Sequence, residues 1–221
     1  MSFTVITAPQ RSEAWFLARL GRLTGSRAGD MLSQIKTGEA AARRDLRLQL
    51  VCERLTSSLQ EDGFINSAMQ RGIDYEPAAF AAYEAETGQL AQRSGFLADD
   101  DRLIGCSLDG HVGAFEGILE VKCPKSATHL GYIRGGGMPS AYLPQITHNL
   151  LVSGAAWCDF LSFDDRFPPP LQTFRVRVLR ADVDLKGYEA KALAFLAEVD
   201  RECEAVRTLI DVGAVMEAVI G

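Results

Sequence analysis

A chain of 221 residues, 47% of them hydrophobic, is long enough to bury roughly 70% of its unfolded surface as one unit, so a single domain over residues 1–221 is expected. A net charge of −6 argues against a uniformly basic protein held on nucleic acid by phosphate contacts alone. No apolar run reaches the roughly 18 residues of a membrane span, and residues 1–11 lack a basic start followed by an apolar stretch, so a cytoplasmic location without a membrane partner is expected.

The N-terminal third differs in charge from the rest. Residues 1–55 carry 9 Lys and Arg against 5 Asp and Glu, a balance of +4, and residues 56–221 carry 14 against 24, a balance of −10. Solvated helix faces and a phosphate-facing patch explain that asymmetry equally well.

In chain order, Ser12 is a plausible cap for a helix over Glu13–Leu20 that Gly21 ends. Thr24 or Ser26 caps a short second helix. From Glu39 to about Thr56, Leu46, Leu50, Val51 and Leu55 recur at helical spacing with arginines opposite. Ala68–Thr87 reads as a helix interrupted or bent around Gly72 and Pro77. After Gly88 short segments between turn residues take over, which is a strand signal. Gln92–Ala98 and Leu103–Leu108 form an expected hairpin, followed by strands over Gly110–Val112 and Gly117–Cys123. Helices are expected over Ser126–Arg134 and Ser140–Val152, and strands over Trp157–Phe163 and Thr173–Leu179. A long helix closes the chain from Asp182 to about Asp211, with Leu185, Leu193, Leu196 and Val199 inward. This order predicts an α/β (α+β) domain in which helices flank one central mixed β-sheet.

In Ile118-Leu119-Glu120-Val121-Lys122, the period of two puts Glu120 and Lys122 on one face, about 7 Å apart along the strand, and Leu119 and Val121 on the other. By itself this pentapeptide describes a surface ion pair. Asp109 alters the reading, because it ends the preceding strand and the intervening turn can bring it to Glu120. Two converging carboxylates suit magnesium, and the Val121 carbonyl offers a neutral oxygen beside them. Lys122 is then placed to hold or deprotonate a water, if burial and a metal lower its pKa. Such a group suits phosphodiester hydrolysis. By contrast, five cysteines without a C-x-x-C pair suggest neither a disulfide framework nor a zinc or iron–sulfur site. His111, His129 and His148 have no metal-ligand spacing, though His111 is near Asp109 in sequence.

These residues resemble the PD-(D/E)XK nuclease core, and their surroundings resemble the lambda-exonuclease (YqaJ-type) viral recombinases over roughly residues 11–180. The resemblance is carried by Trp15 with Leu17-Ala18-Arg19-Leu20-Gly21 and Leu23-Thr24-Gly25-Ser26, by Gly72 with Tyr75-Glu76, by Cys106-Ser107-Leu108-Asp109-Gly110, by Leu119-Glu120-Val121-Lys122-Cys123-Pro124, and by Tyr142 with Gln145. It implies a restriction-endonuclease-like core and a 5′-to-3′ exodeoxyribonuclease that digests one strand of linear duplex DNA. It further implies Mg2+, with Mn2+ as a substitute and two ions per site, held by Glu76, Asp109, Glu120 and the Val121 carbonyl. Lys122 would act on the attacking water and Gln145 near the scissile phosphate, while Arg19, Ser26 and Ser107 would receive a terminal 5′-phosphate. The implied partners are duplex DNA with a free 5′-phosphorylated end, two further copies in a ring-shaped homotrimer, and a single-strand annealing protein in a bacterial or phage-infected cell. Two departures are visible: Leu108 stands where the family often has proline, and the turn from Asp109 to Glu120 is slightly longer. The alternatives are a structure-specific endonuclease or resolvase on the same core and a non-catalytic DNA-binding or assembly protein.

Overall fold

The computed structural model describes residues 3–60 and 67–220, the side chains of 67–69 and 210–220 excepted. Strand β1 (Thr4–Ile6) leads to helix α1 (Glu13–Arg19), strand β2 (Leu23–Thr24) and a short helix α2 (Ala28–Met31). Two longer helices follow, α3 (Ala41–Thr56) and α4 (Ser67–Thr87). Then come strands β3 (Ala91–Gln92), β4 (Phe96–Asp99), β5 (Ile104–Ser107), β6 (Gly110–Val112) and β7 (Gly117–Lys122). Helices α5 (Ser126–Gly135) and α6 (Leu143–Ser153), strands β8 (Trp157–Phe163) and β9 (Thr173–Leu179), and helix α7 (Leu185–Ile220) complete the chain.

The expected mixed α/β class holds, with the strands divided between two sheets of order β1-β4-β5-β2 and β3-β6-β7-β8-β9. The division falls at Leu108-Asp109, between β5 and β6. Each sheet contains one parallel pair, β2 with β5 and β7 with β8. The second needs a crossover, which α5 and α6 supply. The sequence gives no sign of β1 and β2, which have three and two residues and exist because β4 and β5 pair with them.

Ser12 caps α1 as expected, accepting from the Trp15 amide. The Thr24 hydroxyl caps nothing and lies 3.4 Å from Ser26 Oγ. Helix α4 runs through Pro77 as one element. On α7 the inward stripe is Tyr188, Ala192, Phe195, Leu196, Val199 and Cys203, and Leu193 is exposed. Leu193 falls beside the row spaced three and four residues apart that reaches the core.

The main core lies among both sheets, α3, α6 and α7, while a smaller one joins Phe80 and Tyr83 of α4 to Leu119, Val121 and Leu161. Much of the N-terminal positive charge is engaged between helices. Arg43 meets Glu198 at 2.9 Å, Arg54 meets Asp200 at 2.6 Å, and Arg47 pairs with Glu202. For these three arginines the charge asymmetry reflects the α3–α7 contact.

His148 on α6 is fully buried, with Nε2 3.0 Å from the Gly105 carbonyl and Nδ1 2.7 Å from the Tyr188 hydroxyl. A carbonyl only accepts, so Nε2 carries the proton and Nδ1 accepts from Tyr188. Burial pulls this imidazole down to about 4, and the Arg102 charge adds to the effect. The unfolded chain therefore binds the proton first, and this stabilisation, complete above about pH 6.5, is lost as pH falls towards 4. Over that window we expect a loss of roughly 3 kcal/mol, measurable by urea unfolding between pH 7 and pH 4. A His148→Gln variant should lack this share of the acid sensitivity, and equal pH slopes in the two proteins would refute the assignment.

Candidate functional site

The β6–β7 hairpin pairs Gly110 with Leu119 and Val112 with Gly117. One further step of that register puts Asp109 opposite Glu120. Gly110 makes the junction possible, since a Cβ there would stand 2.7 Å from the Phe80 ring of α4. The Val121 amide donates to Asp109 Oδ2 at 2.6 Å, so the register fixes the carboxylate as well as the strand.

Strand alternation gives the predicted division. Leu119 and Val121 enter the smaller core under α4, while Glu120, only 1% exposed, points under α6. Four groups meet it there or nearby. Lys122 donates to Oε1, Asn149 Nδ2 donates to Oε2 at 3.3 Å, Gln145 hydrogen-bonds it through its side chain, and Asp109 adds charge. Burial pushes Glu120 up to about 7, the Lys122 ammonium opposes this and Asp109 reinforces it. Burial likewise raises Asp109, against the pull of Lys122.

Lys122 stands between opposing influences while no cation is bound. Burial does act to lower its pKa, but Glu120 and Asp109 outweigh it and leave the ammonium held above its ordinary value. Lys122 is a charged donor here, 5.3 Å from the centre of the Tyr142 ring.

Glu76 on α4 pairs with Arg93 at 3.1 Å. Burial raises its pKa, and so does the charge of Asp109. Both carboxylates line a cleft of about 660 Å³ with Gln10, Arg11, Arg93 and His111. His111 thus reaches the cleft, but its Nδ1 lies 3.0 Å from the Gly113 carbonyl and its ring stacks on Phe115. Among the described residues, no three His, Cys, Asp or Glu side chains converge closely enough to form a metal-binding group by themselves.

The proposed end-binding residues lie on α1, on the Gly25–Arg27 turn and at the end of β5. The Arg19 guanidinium lies 4.3 Å from the centre of the Trp15 ring, and the Trp15 indole N–H donates to Ser107 Oγ at 2.9 Å. Trp15 thereby joins Arg19 to Ser107. Ser26 is exposed on the Gly25–Arg27 turn. Because Thr24 pairs with Gly105 in parallel, the chain advances in one direction towards Ser26 and towards Ser107.

Sequence reading passed over Asn149. It lies four residues after Gln145 on α6, the spacing that puts two side chains on one helix face, and that spacing was its available signal. Trp15 had been noted only as part of a motif, because an indole bridge between distant residues has no sequence signature.

The YqaJ-like viral recombinase domain matches residues 14–156. Among solved structures, the alkaline exonuclease LHK-Exo from Laribacter hongkongensis is 38% identical with a TM-score of 0.80, and LHK-Exo in complex with dAMP is 37% identical with a TM-score of 0.81. In both cases the alignment covers 90% of this chain and 98% of the other. A phage-related exonuclease from Haemophilus somnus 129PT aligns over 84% of this chain and 96% of its own with a TM-score of 0.65; at 12% identity this likeness concerns the fold. No curated protein matches.

Asp109→Asn keeps an acceptor for the Val121 amide and removes one of three neighbouring negative charges. Without divalent cations we expect the melting temperature to rise, by about 2–4 °C for each 1 kcal/mol relieved in a chain of this size. A lower melting temperature would show that Asp109 is favourably placed as a carboxylate.

Proposed function

The chain belongs to the YqaJ-like viral recombinase family, and on that premise we propose that it is a metal-dependent 5′-to-3′ exodeoxyribonuclease. On this reading it digests one strand of linear duplex DNA from a 5′-phosphorylated end and leaves 3′ single strands for an annealing protein in phage-type recombination. The observation that carries the proposal is the set Asp109, Glu120 and Lys122 gathered on one hairpin beside a cleft. The similarity to LHK-Exo, an alkaline exonuclease crystallised with dAMP, supports exonucleolytic cleavage, because a deoxynucleoside monophosphate is what such cleavage releases. Polarity and assembly as a homotrimer rest on the resemblance. A ring would let an acidic chain follow DNA with only the channel lining basic.

The donor set fits Mg2+, or Mn2+ in its place. Magnesium needs one or two carboxylates and completes its shell with water and substrate oxygens, so the lack of a third converging acid is no obstacle. Asp109, Glu120 and the Val121 carbonyl would hold an ion, with Glu76 across the cleft available for a second. When bound, the metal supplies charge neutralisation at the phosphate and a more acidic water.

The chain's own groups do the rest. The Lys122 ammonium donates to the attacking water and adds positive charge beside the phosphate. Gln145 steadies Glu120 and offers an amide near the scissile bond. Arg19, braced on Trp15, presents a planar fork to the terminal phosphate, with the Ser26 and Ser107 hydroxyls as neutral donors. Anchoring that phosphate sets which phosphodiester reaches the carboxylates, so it should act on rate as well as affinity.

Incubation with Mg2+ should degrade linear duplex and leave covalently closed circles intact. Glu120→Ala and Lys122→Ala should each lower the rate by roughly 10²–10⁴-fold with an unchanged circular dichroism spectrum. Nicked circles would indicate an endonuclease, and DNA binding without hydrolysis would indicate an assembly protein. Full activity in either variant would remove the proposed centre.

Arg19→Ala gives a separate test of end recognition. Wild type should favour 5′-phosphorylated over 5′-hydroxyl ends, and the variant should process the two at nearly equal rates. Retention of the preference would make Arg19 an ordinary surface charge.

A further inference from the structure

Asn149 is 1% exposed, yet its Oδ1 is a buried acceptor with no hydrogen-bond partner among the described residues. Such an atom costs a fold stability, so its presence calls for an explanation. Its other end explains the arrangement. Nδ2 donates to Glu120 Oε2 at 3.3 Å, and turning the amide over would bring two acceptors together. Glu120 therefore fixes which way the amide faces and leaves Oδ1 on the opposite side.

That side is occupied by backbone. A Cβ on Gly25 would stand 2.2 Å from Asn149 Oδ1, so the Gly25–Arg27 turn rests on the amide with no room for a side chain. Gly25 lacks the positive φ found at other glycines of this chain, and its need for glycine is a need for space. The next residue is Ser26. Neighbouring His148 holds α6 to β5 through the Gly105 carbonyl, which prevents the helix from withdrawing.

We infer that Asn149 is a positioning residue, whose carboxamide sets Glu120 Oε2 on one side and seats the Ser26-bearing turn on the other. A shift of the turn then moves the amide, and the amide moves the carboxylate. The inference rests on the reading that Glu120 serves phosphodiester cleavage and that this turn receives the DNA end.

The test uses Asn149→Ala, Asn149→Asp, Gly25→Ala and the double variant Gly25→Ala/Asn149→Ala, assayed with Mg2+ on linear 5′-phosphorylated duplex. Asn149→Asp keeps the shape and replaces the donor by an acceptor. If the amide acts by donation, both Asn149 variants lose about tenfold or more in kcat, whatever accompanying change in KM comes from the turn. Gly25→Ala should also be slow, and the double variant should match Asn149→Ala, because the obstructed amide is gone and its contribution is already lost. Full activity in Asn149→Asp, a change confined to KM, or losses that multiply in the double variant would each overturn the inference while an active wild type left the proposed function standing. A wild type with no nuclease activity would overturn both.

Discussion

Burial of one carboxylate is the constraint from which the rest of the site follows. The period of two along β7 sends Leu119 and Val121 into the small core under α4, and the same alternation drives Glu120 into the opposite face beneath α6. An ionised group in that position is costly unless it is paired and hydrogen-bonded. Lys122, Gln145 and Asn149 meet that need from one strand and one helix. Even so Glu120 remains pushed towards protonation. On the proposed reading, a bound cation would supply the positive charge that this centre lacks.

Asp109 belongs to the same constraint. The hairpin register delivers it opposite Glu120, and the Val121 amide then holds it at 2.6 Å. The backbone N–H of Val121 thus serves Asp109, leaving its carbonyl for other uses. Since the two sheets part at this point, the chain is released from strand pairing at Asp109.

The local geometry of the candidate site was more legible in the sequence than the architecture around it. Glu120, Lys122 and Asp109 could be placed because strand alternation and a hairpin are local rules. The strands β1 and β2 could not, being set by partners about 80–90 residues away. The charge asymmetry was ambiguous for the same reason, since Arg43, Arg47 and Arg54 find their acids on α7, 146 to 155 residues further on. For Lys122, burial acts to lower the pKa, while with no cation bound the two nearby carboxylates outweigh it. Leu193 was misassigned by one position on a helix whose buried stripe is otherwise regular.

The engagement of those arginines bears on how an acidic chain meets a polyanion. Ion pairs between α3 and α7 remove much of the apparent N-terminal excess, so long-range attraction cannot rest on that third of the chain as a block. On the proposed reading, recognition is local. Arg19 is aligned by Trp15 next to Ser107, and Arg11 and Arg93 stand at the cleft with Glu76 and Asp109. A few cations fixed by neighbours lose less conformational freedom on binding than a flexible basic tail. They also favour one orientation of the ligand over the many that a diffuse patch would accept. On the proposed reading, the position of a strand end and the position of the reacting phosphate would be set by the same small group of elements, α1, the Gly25–Arg27 turn, β5 and α6, so end recognition and cleavage would share their mechanical support.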